Sequence, residues 1–280
     1  MSGGKEAQLA FHYQNIITVL KILNGLHDGK LISVKVEQKV PGSAKEIDIV
    51  LEFSGGRFEY HEVKSGEGFT NNGIQIKECL KSLFLLYQSR PTGEQSTYSV
   101  IINPDFLPPI ATFAGDIRRF SQNKTVTSSF RAYCITWEIE ANKIIQFHTF
   151  MKSLSLDHEM NLSRLKVEVL ASIESITADF FMNADHALPR EDLLNRLVSL
   201  IIISIEKNSG VIDIQEFADT IIDWSARNAV AYQTAIGNDV KGMLEAVKSE
   251  ITIKLQAKFP SVAIAPPSPS PSASISEDQI

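Results

Sequence analysis

Apolar positions in the first hundred residues change period several times, and each change marks an element. Over residues 6–26, Leu9, Ile16, Leu20 and Leu23 recur at helical spacing, with Gly25 near the end of the run, which predicts a helix. Residues 31–40 alternate instead. Leu31, Ser33, Lys35, Glu37 and Lys39 fall on one face and Ile32, Val34, Val36 and Val40 on the other, the period of a strand. Pro41-Gly42-Ser43 reads as a turn, and alternation resumes over 46–53 with Ile47, Ile49, Leu51 and Phe53 together. Ser54-Gly55-Gly56 then predicts a hairpin into a third strand over 57–64. Residues 73–89 return to helical spacing, 97–103 form a short β-rich run ended by Asn103-Pro104, and 130–137 are expected as a last strand. The order implies an α/β fold, a mixed sheet flanked by helices.

From about residue 139 the pattern predicts helices only. They are expected over 143–154, 161–181, 190–207, 214–228 and 238–258, with Pro189 and the acidic Glu191 and Asp192 suiting the start of the third. Residues 259–280 are rich in Pro and Ser and are expected as a disordered tail. The expected organisation is thus a core at 1–140, a helical subdomain at 141–258 and the tail.

Composition narrows the function classes. The chain has 44% hydrophobic and 21% charged residues, as globular proteins do. Its longest apolar run, 197–205, is about half of a membrane span, and the opening MSGGKEAQ lacks the apolar stretch of a secretory signal. Two cysteines in apolar contexts make neither a disulfide framework nor a metal cluster, so a reducing cytoplasm is the expected setting. Residues 1–150 carry 16 Lys and Arg against 15 Asp and Glu, and 151–280 carry 11 against 18. Such a chain is no basic nucleic-acid coat; any DNA contact must come from a local patch in the first half or from an assembly.

The chemistry concentrates in 46-EIDIVLEFSGGRFEYHEVKSG-66. Glu62 and Lys64 share a strand face, and a tight hairpin brings Asp48 beside them. Two carboxylates and an ammonium at the end of a sheet suit metal-assisted phosphodiester hydrolysis. Asp48, Glu62 and the backbone carbonyl of Val63 would hold Mg2+ (Mn2+ as a substitute), and Lys64 would orient the attacking water or stabilise developing charge. A cross-strand salt bridge on a solvated face would use the same residues. A second Glu-x-Lys, Glu37-Gln38-Lys39, lacks an upstream acid inside an apolar strand and is set aside as a decoy.

The segment resembles the PD-(D/E)XK nuclease superfamily, whose core runs helix, three-strand meander, helix, strand. Asp48 matches its first acid, with Ile47 standing where the motif has proline, and Glu62 and Lys64 match the (D/E)XK pair. The resemblance implies two further candidates, Glu6 in the first helix and Gln75 in the helix after the Lys strand. A solvated helix-start Glu and a helix-surface Gln are the plainer readings of those two.

More narrowly, GKEAQLAFHYQ, EIDIVLEF and FEYHEVKSG are similar to the endonuclease domain of the CD-NTase-associated double-strand DNA endonucleases, including Lamassu-type nuclease subunits. That resemblance implies an effector of bacterial anti-phage defence that cuts double-stranded DNA. Its activation would come from a separate sensor or SMC-like ATPase subunit, or from homo-oligomerisation. A restriction or repair nuclease of the same fold, or a non-catalytic adaptor binding protein through its helical half, are the alternatives.

Other patterns lead elsewhere. His61 is expected to face away from the catalytic side. Residues 205–217 echo half of a calcium loop but place Ile205 and Lys207 where oxygen ligands are needed, so a capped helix connection is expected. Arg118, Arg119 and Lys124 could contact phosphates or be solvated surface. The apolar helix over 193–205 is expected as core or as an oligomer contact.

Overall fold

The computed structural model describes residues 3–42, 45–65, 74–90, 94–104, 111–157, 160–177, 190–233 and 240–258. The first helix, α1 (Gly3–His27), leads into a meander of β1 (Leu31–Lys39), β2 (Glu46–Phe53) and β3 (Arg57–Lys64). Then come α2 (Ile74–Ser89) and β4 (Gln95–Ile102). The expected order of helix, meander, helix and strand is therefore observed. Helices α3 (Ala111–Gln122), α4 (Ser128–Thr136) and α5 (Ile144–Lys152) follow, then β5 (Leu154–Asp157) and α6 (Leu162–Thr177). The chain continues through α7 (Arg190–Lys207), β6 (Val211–Ile212), α8 (Ile214–Gln233) and α9 (Val240–Lys258). Residues 259–280, expected as a tail, lie outside the described residues.

The six strands form one mixed sheet in the order β5-β4-β3-β2-β1-β6. The meander and the β1–β6 pair are antiparallel, whereas β4 runs parallel to both β3 and β5. Each sheet face buries its own core. On one, α1, α6, α7 and α8 pack with Val34, Val36, Ile49 and Leu51. On the other, α2, α3, α4 and α5 pack with Val50, Tyr60, Tyr98 and Val100. The second core is aromatic: the Phe147 ring meets Phe84 edge-on at 4.9 Å, and Phe150 meets Tyr98 at 5.4 Å. Edge-to-face pairs of this kind add to the area they bury.

Four details depart from the sequence expectations, each for a local reason. Residues 130–137 are helical, not a strand. Thr127 caps α4, its side-chain oxygen accepting from the Phe130 N–H, and Phe130 and Cys134, four apart, both turn into the core. Strands do not end at residue 139, because β5 and β6 form both edges of the sheet. The boundary drawn at 140 thus coincides with no break in the sheet or in either core. In β1 the register slips between Leu31 and Ser33, so Leu31 turns inward and Ile32 is left 55% exposed, the reverse of strict alternation. Finally, α1 runs past Gly25, where an added Cβ would lie 3.1 Å from Leu31, and stops at Gly29, whose φ of +65° is left-handed.

The apolar α7 is absorbed by the chain's own core, where Leu193, Leu194, Leu197, Val198 and Ile201 are buried. At the calcium-like stretch, Asp213 caps α8, its Oδ1 accepting from the N–H groups of Gln215 and Glu216 at 2.8 and 3.2 Å. No helix among the described residues is long and apolar enough to cross a membrane.

Candidate functional site

Register alone sets the site. Ile49 pairs with His61 across the β2–β3 hairpin, which puts Asp48 across from Glu62 on the face that α2 covers. Lys64, two residues on, shares that face. The β2–β3 pairing ends at Ile49 and His61. Beyond it Asp48 Oδ2 accepts the Val63 N–H at 2.6 Å, a carboxylate standing in for the carbonyl of a continuing ladder. The Lys64 ammonium donates to Glu62 Oε2 at 2.5 Å and stands 3.6 Å from Asp48 Oδ2. The three side chains expected to converge do so.

Their electrostatics differ from those of a solvated ion pair. Glu62 is buried, and burial, reinforced by the Asp48 charge and opposed by Lys64, pushes its carboxyl up to about 7. Burial works against the Lys64 ammonium, yet the Asp48 and Glu62 carboxylates prevail and hold its pKa above the ordinary value. Cys79 on α2 is buried behind them, and that burial raises its thiol pKa well above normal. Glu62 and Lys64 open into a cleft of about 240 Å3 lined also by Lys45, Glu46, Glu78, Cys79 and Ser82. A Lys45–Glu78 ion pair of 3.0 Å crosses it from sheet to helix.

The remaining candidates separate. Glu6 lies in α1 and Gln75 in the first turn of α2, but both side chains are outside the described residues. His61 faces the opposite side of the sheet, as expected. It is buried with its Nδ1 2.5 Å from Ser99 Oγ and its Nε2 3.4 Å from Glu59, and burial lowers its pKa. Arg118 and Arg119 lie on α3, Arg119 over the Phe120 ring at 4.5 Å, and neither lines the cleft.

Sequence reasoning set Glu37 aside as part of a decoy Glu-x-Lys. Val36–Ile49 and Gln38–Ile47 pairing places it across from Asp48, so Glu37, Asp48 and Glu62 form one row over three strands. Its φ of +53° is left-handed, rare for Glu. Burial, then the charges of Glu46 and Asp48, raise its carboxyl pKa. The signal was present in the register, which a Glu-x-Lys template does not examine.

Among the described residues no group of three or more His, Cys, Asp and Glu is placed to hold a metal ion. Asp48 and Glu62 form a pair. A pair fits a hard cation that takes one or two carboxylates and completes its shell with water and phosphate oxygens, as Mg2+ does. The raised Glu62 pKa marks the repulsion and burial that such a cation would relieve.

No family model matches the chain, and no curated protein matches it. The solved structures that share its fold include two of a Cap4 SAVED/CARF-domain containing receptor of Acinetobacter baumannii. The form with the cyclic trinucleotide 2'3'3'-cAAA superposes with a TM-score of 0.51 at 14% identity, over 80% of this chain and 46% of the receptor. The form with 3'3'3'-cAAA gives 0.51 at 12% identity, over 89% of this chain and 59% of the receptor. The chain thus spans about half the length of these receptors, and what it shares with them is the arrangement of an α/β sheet flanked by helices.

Proposed function

We propose that this chain is a Mg2+-dependent DNA endonuclease module of the PD-(D/E)XK type, with Mn2+ as a substitute metal, serving bacterial anti-phage defence. One observation carries the reading: Asp48, Glu62 and Lys64 meet on one sheet face, at the mouth of a cleft, with Glu62 buried and electrostatically costly. An ordinary surface salt bridge gains little and needs no buried carboxylate. Asp48, Glu62 and the Val63 carbonyl would hold the cation, which supplies polarisation of the scissile phosphate and a more acidic attacking water. Lys64, already a hydrogen-bond donor to Glu62, is placed to donate a hydrogen bond to a phosphate oxygen as negative charge grows there. Asp48 fixes the end of β3 through the Val63 N–H and so aims both Glu62 and Lys64.

The defence role rests on the resemblance to CD-NTase-associated endonucleases. Likeness in fold to half of a cyclic-trinucleotide receptor supports a module that works beside a sensor, here a separate subunit or an SMC-like ATPase. Homo-oligomerisation would bring two sites to a duplex.

The test is cleavage of supercoiled plasmid in Mg2+, with and without EDTA, alone and with the product of a neighbouring gene. Chelator-sensitive cleavage that Lys64→Ala removes supports the proposal. Cleavage that survives in Lys64→Ala overturns it. Binding of cyclic triadenylate without cleavage under any of these conditions would replace it with a ligand-sensing role.

A further inference from the structure

A second hollow, of about 150 Å3, lies beside the carboxylate cleft on the same sheet face. Lys35, Lys39 and Arg90 line it above Phe58 and Tyr60, with Glu52 as an acid among the lining residues. Its position follows from register. Lys35 pairs with Val50, and Val50 with Tyr60, so this row lies two strand residues, about 6.7 Å, from the row of Glu37, Asp48 and Glu62. The same helix walls both hollows: Cys79 and Ser82 face the cleft, and Leu86, with Arg90 just beyond α2, faces the second one.

The three cations are held differently. Arg90 is fixed: its guanidinium lies 4.6 Å from the Tyr60 ring centroid and 5.5 Å from that of Phe58, and Glu94 stands 3.6 Å from it. Glu94 is itself held by the Tyr60 hydroxyl at 3.2 Å and by Ser96. Stacking on aromatic rings pre-organises the planar guanidinium with its remaining N–H donors free to face an anion. Lys35 is half-buried and Lys39 exposed at the wall, and neither forms an ion pair among the described residues. Three cations against Glu52 in the lining and Glu94 behind Arg90 leave a local excess of positive charge, in a chain of net charge −6.

We infer that this hollow is a phosphate subsite for a nucleic-acid strand: Lys35, Lys39 and Arg90 hold a backbone phosphate next to the one presented to Asp48, Glu62 and Lys64. The inference rests on the nuclease reading for the second phosphate's fate, not for the binding itself. A bound phosphate one step along fixes the strand's direction and register at the carboxylate pair, which is the work phosphate contacts do.

The experiment measures binding of a fluorescent 20-base-pair duplex by anisotropy as a function of salt. It compares the full chain with the Lys35→Gln/Lys39→Gln double variant, each in EDTA and, on a Lys64→Ala background, in Mg2+; thermal melts confirm that each variant is folded. Single-stranded DNA and cyclic triadenylate serve as competitors. The expected result is at least a tenfold loss of duplex affinity in the double variant, with a log–log salt slope shallower by about two, one phosphate contact per lysine. Unchanged affinity and slope, or no duplex binding by the parent in either buffer, overturns the inference. So does cyclic triadenylate binding to the hollow in preference to either strand form. Loss of binding in the lysine variant together with undiminished cleavage in Lys64→Ala would leave the subsite standing and remove the nuclease reading instead.

Discussion

Asp48 has two roles that substitution can separate. As an acceptor it satisfies the buried Val63 N–H; as an anion it faces Glu62 and Lys64. Asp48→Ala removes both, and leaving the N–H without a partner should cost about 1–3 kcal/mol in denaturant unfolding. Asp48→Asn keeps an acceptor and should hold stability near the parent's while still losing Mg2+-dependent cleavage. Lys64→Ala should fold normally and lower cleavage by about a hundredfold or more, the scale of losing one transition-state donor. Glu62 gives a pH signature. Its carboxyl titrates near 7 in the folded chain against an ordinary 4.5, so the folded state holds the proton more tightly than the unfolded state does. Its contribution to stability must therefore fall as pH rises from about 4.5 to about 7. In EDTA, the melting temperature of Glu62→Gln should gain on the parent's across that window; a constant difference would show that the carboxyl titrates normally. Of the site, Asp48, Glu62 and Lys64 were legible because hairpin geometry converts sequence spacing into proximity. Glu37 was not, since its place depends on the pairing of β1 with β2 and on a left-handed backbone that no local residue preference for Glu announces.

At the level of elements, the meander and its flanking helices were legible because their periods of 2 and 3.6 run long enough to separate. The failures are short or mixed. β5 has four residues and follows closely on a helix, so its first residue, Leu154, reads as the end of that helix and the other three are too few to show a period. Residues 130–137 carry β-prone side chains, yet the Thr127 cap and the four-residue spacing of Phe130 and Cys134 decide for helix. β6 has only two residues and depends on a backbone contact. Gly210 takes a φ of +76°, and its carbonyl accepts the Val36 N–H at 2.8 Å. A Cβ there would lie 2.0 Å from the Val36 carbonyl oxygen, with backbone on both sides of the clash. Gly210→Ala should therefore destabilise the chain by roughly 1–3 kcal/mol or more in denaturant titration. An effect within experimental error would mean that β6 is not clamped to β1 as described.

For the whole molecule, the sheet and not the sequence midpoint defines the unit. Phe147, Phe150 and Met151 fill the aromatic core around Tyr98, and α6, α7 and α8 cover α1 and the opposite face. A fragment of residues 1–140 would lack α5 on one face and α6, α7 and α8 on the other, and would leave one edge of β4 without β5. It should be insoluble or bind hydrophobic dyes. A soluble, cooperatively melting 1–140 fragment would restore the two-domain division. The same threading has a consequence for how the protein is made. The margins of the sheet come from residues 154–157 and 211–212, long after its centre has been translated. At ~5–20 residues per second, the nascent chain carries bare strand margins for on the order of ten seconds or more. A chaperone that shields growing chains would then govern the yield of active protein more strongly than any single contact in the finished fold.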